Sequence, residues 1–403
     1  MPGLDHILFT IYLLLGPGVW AALIALLVMG HHRMNRLRLG EPPPPVSSPA
    51  PLVTILIPAK DEAQRIEACV AASLGQDYPN FEIIAIDDRS TDGTGEILDR
   101  LAAGERRLTA LHVAAGELPA GWAGKTNALH RATPTARGDW LLFLDSDVVV
   151  EPTLLKYLVG AASVRGYDAI SLLTGIHGHS MLQETVLPAA AGVWGMMHLV
   201  SVTNNDNRKG YAVANGQVFL IRRSAYEAIG GHASARFELA EDVQLMRMLK
   251  TAGFRTRLFL GRSLATTHMY GTTRQAIRGW ARIYATTNRL RSEAVVTAIA
   301  ILGVSAMVFW PAAIFGVAEA RGGAWHWLVA AGVHWGAMGA WLAIIYRASG
   351  NSRRYAIAAP LTFLFVLGIL FYALVMCRTG RISWRGTQYA FRAAGGVKDG
   401  STS

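Results

Sequence analysis

Cysteine is nearly absent: the 403 residues hold two, Cys69 and Cys377, the second inside an apolar run. Neither a disulfide framework nor a cysteine-based metal site can be assembled from them, and a reducing compartment is expected for the bulk of the protein. Charge is scarce as well. Asp, Glu, Lys and Arg make up 16% of the chain, against about a quarter in soluble domains. With 52% hydrophobic residues, that scarcity excludes both a disordered chain and a wholly water-soluble one. Acidic residues are the rarer sign, 28 against 38 Lys and Arg. In a membrane protein this excess points to basic flanks facing anionic lipid, with no nucleic acid as partner. Two phosphate-binding signatures are also missing. No GxGxxG follows the first strand-like run and no GxxxxGK[ST] occurs anywhere, which argues against a dinucleotide oxidoreductase and a P-loop NTPase alike.

What is present begins with four apolar runs, near 7–30, 294–318, 324–346 and 355–377, each close to the roughly 20 residues that cross a bilayer. The first has no basic residue before it and no small-residue cleavage site after it, so it reads as a retained anchor. Arg33, Arg36 and Arg38 follow it. The positive-inside rule then places the next segment in the cytoplasm, in a multi-pass protein of the cell (inner) membrane. Residues 41–51, EPPPPVSSPAP, form a Pro-rich, extended spacer. Composition thus divides the chain into 1–51 (anchor and linker), 52–291 (a globular domain) and 292–403 (apolar spans and a basic tail). The tail creates a conflict. Three crossings after a cytoplasmic domain put it outside, yet it carries Arg378, Arg381, Arg385 and Arg392. Either one apolar stretch is re-entrant or interfacial, or the rule fails here.

Within 52–291, short apolar runs (VTILIP, FEIIAID, LTALHV, WLLFLDSD) alternate with helical stretches such as EAQRIEACVAASLG. That alternation predicts an α/β fold with a mostly parallel sheet. Three of the predicted strands end in acids: Asp61-Glu62, Asp87-Asp88 and Asp145-Ser146-Asp147. In open α/β sheets ligands bind outside the carboxyl ends of strands. Helix capping accounts for any one of these acids, but not for pairs after three separate strands. Gathered carboxylates need a cation, and hard oxygen ligands suit Mg²⁺ or Mn²⁺, which shares its coordination with substrate phosphates. A nucleoside diphosphate is the natural guest.

The ordered set AKDE, IDDRSTDGT, GKTNAL, DSD and AEDVQLMRML resembles the inverting family-2 glycosyltransferases of GT-A (Rossmann-like) fold, over residues 52–280. The phrase LPAGWAGKTNAL, the anchors and the tail's WRG-Q-Y pattern resemble a branch that glycosylates membrane lipids of carotenoid, hopanoid or sphingolipid type. The resemblance implies a role for each matching residue. Pro58, Ala59 and Glu62 would flank the base and ribose, and Asp88 would bind the base edge. Lys125 matches a basic residue near the donor. Asp145 would lean toward the ribose or sugar, while Asp147 would ligate the cation bridging the diphosphate. Asp242 would be the general base. His268 is the candidate for a further metal ligand, with a packed structural histidine as the other reading. Gln275, Arg278 and Trp280 resemble the QxxRW motif of processive synthases, with Gly279 inserted; Arg278 would meet the diphosphate.

The chemistry requires these residue types in any case. Departure of a nucleoside diphosphate needs charge neutralisation, which a divalent cation supplies, and the incoming hydroxyl needs a base on the opposite face. A carboxylate near an apolar acceptor has a raised pKa, suited to neutral pH. One base without a carboxylate nucleophile implies single displacement with inversion. The expected protein is a membrane-integral glycosyltransferase moving a sugar from a nucleotide sugar, a UDP-sugar by expectation, to a membrane lipid. A processive polysaccharide synthase and a polyprenyl-phosphate glycosyltransferase remain alternatives. A transporter or receptor should carry charges inside its spans; these hold His326 and His334 but no deep Asp, Glu, Lys or Arg.

Overall fold

The computed structural model describes residues 2–33, 43–198, 200–323, 325–384, 387–392 and 396–397. Arg36, Arg38 and Arg385 lie outside them. By contact the chain forms two units, each discontinuous in sequence. One comprises Met34–Gly175, Leu199–Met269 and Gly380–Ser403, the other Met1–Arg33, Ile176–His198 and Tyr270–Thr379.

The first unit is built on a seven-stranded sheet. Its strands are β1 (Val53–Ala59), β2 (Phe81–Asp88), β3 (Leu108–Val113), β4 (Trp140–Leu144), β5 (Ala169–Leu173), β6 (Val218–Arg222) and β7 (Thr256–Leu260), in the order β3-β2-β1-β4-β6-β5-β7. Only β6 runs antiparallel to its neighbours, so the mostly parallel α/β fold expected from the alternating pattern is present. β1, β2 and β4 are buried at every position, as continuous apolar strands covered on both faces must be. Their alternation feeds two cores. Ile55, Ile57, Ile83 and Leu142 pack on one face with Leu155 and Leu158; Leu56, Ile84, Ile86 and Phe143 pack on the other with Leu129 and Leu245. Because β1 is parallel to both β2 and β4, the carboxyl ends of all three open on one edge. Beyond β4, strand Val148–Val150 pairs antiparallel with Ala265–Thr267. The tail adds a hairpin, Arg381–Trp384 with Thr387–Arg392, to this unit.

The second unit holds four helices long and apolar enough to cross a membrane: Gly3–Gly30, Ser292–Ala318, Trp325–Ser349 and Arg353–Thr379. They coincide with the four apolar runs. Large apolar side chains such as Ile314, Val317, Val329 and Phe371 are exposed on them, which is tolerable where lipid replaces water. Helices Met181–Met197 and Thr273–Thr287 belong to this unit too. The Tyr284 hydroxyl donates to the Ala190 carbonyl at 2.7 Å, and the Trp194 indole donates to Thr287 Oγ1 at 3.3 Å. Composition alone had grouped both helices with the globular domain. Contact groups them with the apolar helices, and the tail with the sheet.

Leu142 is fully buried at the centre of the sheet. Leu142→Ala is expected to destabilise the protein by about 2–5 kcal/mol, seen as a lower unfolding midpoint in detergent; an unchanged midpoint would contradict this core.

Candidate active site

The ends of β1 and β2 are tied together. The Asp61 N–H donates to the Ser90 hydroxyl (2.9 Å), the Thr91 N–H to Asp61 Oδ1 (2.8 Å) and Lys60 Nζ to the Arg89 carbonyl (3.1 Å). Asp61 and Arg89 adopt positive φ, 52° and 59°, a conformation that ordinary residues hold only where the surroundings enforce it, often at functional sites. Pro58 and Ala59 complete β1 beside Ile86 and Asp87. Glu62 is buried and accepts from Arg65 at 3.2 Å. Asp88 is gripped by its neighbour: Arg89 Nε and Nη2 donate to its two oxygens at 2.7 and 2.9 Å.

Helix Gly124–Ala132 starts beside this pair. A Cβ on Gly124 would overlap Arg89 Nη2 and lie 2.7 Å from Asp88 Oδ2, so a side chain here would push the Asp88–Arg89 pair aside. The next residue, Lys125, connects the rest of the site. Its ammonium meets Asp145 Oδ1 at 2.6 Å and Glu241 Oε1 at 2.7 Å. Burial opposes its charge, but Asp145, Glu241 and Asp242 outweigh this and hold its pKa above the ordinary lysine value.

Glu241 and Asp242 open helix Glu241–Thr251, where the helix dipole favours negative charge. The Asp242 carboxyl nevertheless rises to about 7, first through burial and then through the adjacent Glu241 charge; Lys125 and a hydrogen bond from the Val243 N–H pull the other way. Gly216 lies against both groups: a Cβ there would be 3.2 Å from Asp242 Oδ2 and from Lys125 Nζ. The turn carrying Gly216 is pinned by Ser171, which bonds the Asn215 backbone, and by Gln217, whose carbonyl accepts from the Asp145 N–H at 3.2 Å. His232 feels the same charges. Burial, then Lys125 and His130, push it down to about 3, so it stays neutral.

Asp147 lies two residues beyond Asp145, and its carbonyl accepts from the His268 N–H at 3.3 Å. The strand pair Val148–Val150 and Ala265–Thr267 therefore sets His268 beside Asp147. Buried Cys69 provides a second measure of proximity. After burial itself, the Asp147, Asp145 and Glu62 charges raise its thiol, so all three carboxylates lie within electrostatic reach of it.

Among the described residues, no three His, Cys, Asp or Glu side chains gather that could hold a metal ion by themselves. One carboxylate and one imidazole, on Asp147 and His268, fit a cation that takes its remaining ligands from substrate phosphates and water. Asp145 is already paired with Lys125.

The expected residues Pro58, Ala59, Glu62, Asp88, Lys125, Asp145, Asp147, Asp242 and His268 thus all lie in the sheet unit. Arg278 is on helix Thr273–Thr287 of the helical unit. Gln275, which seemed part of a QxxRW-like motif, forms a capping box there with Thr272. Sequence reasoning passed over Arg89, Gly124, Gly216 and Tyr389. Arg89 stands inside IDDRSTDGT, Gly124 inside GKTNAL and Tyr389 in the tail's WRG-Q-Y pattern, so the motifs contained three of them without assigning them a role.

Gly124→Ala is expected to weaken nucleotide binding roughly tenfold or more, the effect of displacing a charge-assisted hydrogen bond. Gly104→Ala, where nothing lies within 4 Å of the added carbon, should bind normally. Equal nucleotide affinities in the two variants would show that the Asp88–Arg89 pair does not depend on this glycine.

Comparison with known proteins supplies the family. Over 232 residues the chain is 24% identical to the 4,4'-diaponeurosporenoate glycosyltransferase of Staphylococcus haemolyticus, covering 57% of this chain and 60% of that one. Over 247 residues it is 27% identical to the beta-monoglucosyldiacylglycerol synthase of a Synechocystis species, covering 56% and 48%. The chain spans less than two thirds of the length of these relatives. Among solved structures, a mannosyltransferase from Pyrobaculum calidifontis in complex with GDP-Man and Mn²⁺ superposes with a TM-score of 0.49 at 19% identity, covering 90% of this chain and 98% of that chain. The resemblance to family-2-type glycosyltransferases is borne out, and the matching family bears its own number. Residues 18–397 match glycosyl transferase family 21, and the chain is a glycosyltransferase of that family.

Proposed function

We propose that this glycosyltransferase moves a sugar from a UDP-sugar to a hydroxyl or carboxyl group of a membrane lipid, inverting the anomeric carbon. The observation that carries the reading is the half-buried Asp242, whose carboxyl is raised to about 7 within one cluster with Lys125, Asp145 and Glu241. A base with that pKa is half ionised near neutral pH and accepts a hydroxyl proton efficiently there. No second carboxylate is assigned as a nucleophile, so the acceptor oxygen attacks directly.

The remaining residues divide the work. Pro58, Ala59 and Glu62 flank the nucleoside, and Asp88, fixed by Arg89, accepts from the base edge. Lys125 holds Asp145 toward the sugar-ribose region and keeps the first turn of the base helix in register. Asp147 and His268 would hold Mg²⁺ or Mn²⁺, which when bound neutralises the departing diphosphate. Arg278 is kept as a further diphosphate contact. The four apolar helices keep the enzyme at the bilayer, where an insoluble acceptor need not leave it, and Arg33 at the end of the first helix favours a cytoplasmic catalytic unit. The relatives named for a carotenoid-type acid and for a glucosyl-diacylglycerol support the lipid class of acceptor.

Membranes supplied with Mn²⁺, labelled UDP-glucose and extracted lipids are expected to yield a lipid-soluble labelled product that Asp242→Asn abolishes. Label found only in polymer would overturn the reading in favour of a processive synthase. The pH dependence has a definite sign. Protonated Asp242 cannot act as base, so kcat/KM should fall about tenfold per unit well below pH 7 and level off above it. Asp242→Asn should remove this limb along with the activity. Chelation of the divalent ion should stop turnover, and Asp147→Ala should weaken Mn²⁺-dependent UDP binding. UDP affinity undiminished in that variant would remove Asp147 from the ligand set.

A further inference from the structure

In the tail hairpin, Ile382 stands opposite Tyr389. Both are buried, while Arg381 and Ser383 between and beside them are exposed. Alternation of this kind means that one face of the hairpin is docked. Tyr389 is docked at the end of β2: its hydroxyl accepts from the Gly124 N–H at 3.3 Å, and it lies within electrostatic reach of Arg89, whose main partner is Asp88. A residue 265 positions away in sequence from Gly124 thus completes the group around Asp88.

The helical unit supplies an independent observation. The position of a Cβ on Gly303 lies 3.9 Å from Leu367, and the Glu293 charge acts on Cys377. Helices Ser292–Met307 and Ala359–Thr379 therefore run antiparallel, and the chain leaves this unit at the end where it entered. Three full crossings would have left it at the other end. The reversal is made by Arg353–Ala358, which runs back along helix Trp325–Ser349. There the Trp335 indole donates to the Ile357 carbonyl at 2.9 Å, and the Ala356 carbonyl lies 3.3 Å from a Cβ on Gly339.

We propose that the paired strands Arg381–Trp384 and Thr387–Arg392 are a strap over the base end of the donor site, with Tyr389 as a positioning and base-selecting residue. The proposal rests on the reading of Asp88 as the base contact. Its chemistry is specific. A guanidinium and a phenol donate hydrogen bonds and a carboxylate accepts one, which complements the acceptor–donor–acceptor edge of uracil. Guanine presents an acceptor and two donors instead. A uridine nucleotide is the ligand this set selects.

The test uses the full-length protein, measuring donor KM, kcat and inhibition by UDP and by GDP. Tyr389→Phe is expected to raise the UDP-sugar KM and the UDP inhibition constant about three- to tenfold, the scale of one hydrogen bond, with kcat little changed. The preference for UDP over GDP should fall by the same factor, and Tyr389→Ala should lose more. UDP affinity unchanged in Tyr389→Ala but weakened in Asp88→Asn would overturn the strap and leave the base site standing. UDP affinity unchanged in Asp88→Asn would overturn the base site and the strap with it. A fall in kcat alone in both Tyr389 variants would mark a merely structural role and likewise refute the proposal. Placement is tested separately with an impermeant maleimide, since both native cysteines are buried. Ser383→Cys should label from the same side as Arg106→Cys, and labelling from opposite sides would refute the strap.

Discussion

One ammonium group holds the site together. Asp145 arrives on the end of β4, Glu241 and Asp242 on the first turn of a helix almost a hundred residues later, and all are acidic. Brought together in a half-buried cluster without a cation, they would repel one another and meet a desolvation penalty on each charge. Lys125, at 2.6 Å from Asp145 and 2.7 Å from Glu241, removes much of that repulsion. The same contact links three elements of the sheet unit: β4, the helix that Gly124 begins and the helix that Glu241 begins. Lysine suits this task because its compact charge serves several acceptors from one point, whereas a planar guanidinium would impose a two-pronged geometry.

The arrangement also separates the behaviour of two neighbouring carboxyls. Glu241 is paired with Lys125 directly. Asp242 lies beside the Glu241 charge, so burial and repulsion dominate it. Adjacent residues on one helix turn thereby differ, one paired with the Lys125 ammonium and one with a raised carboxyl. Environments that push titratable groups apart are where acid–base roles are to be sought, and here the difference is one position in sequence. Gly216, with no side chain to intrude, leaves the space in which this difference can exist.

Much of this was legible in the sequence because parallel strands impose a simple rule: acids written at strand ends must meet at one edge of the sheet. VTILIP, FEIIAID and WLLFLD gave strands β1, β2 and β4 almost residue for residue, and with them the neighbourhood of Glu62, Asp88 and Asp145. The four apolar runs were legible for an equally local reason, since length and hydropathy suffice. Long-range choices were not. Nothing near Met181 or Thr273 says that those helices pack with the apolar ones, because an amphipathic helix looks alike wherever its apolar face is buried. Gln275 was misleading for a related reason: the spacing of a helix cap coincides with part of a catalytic motif.

The tail shows most clearly where counting apolar runs stops being sufficient. A hydropathy count treats each run as one crossing, so three runs after the catalytic segment reverse the side of the tail. Six residues, Arg353–Ala358, break that count by running back along helix Trp325–Ser349 before the last helix begins. Backbone that departs from a regular helix is tolerated at membrane depth only where protein covers it, and Ala356 is indeed buried. The positive-inside rule had pointed the other way from the start, through Arg378 and Arg381, because basic residues respond to the side on which they end rather than to the number of apolar runs before them. Where the two rules disagree, the one that reports the end state deserves the greater weight, and the antiparallel run of helices Ser292–Met307 and Ala359–Thr379 agrees with it.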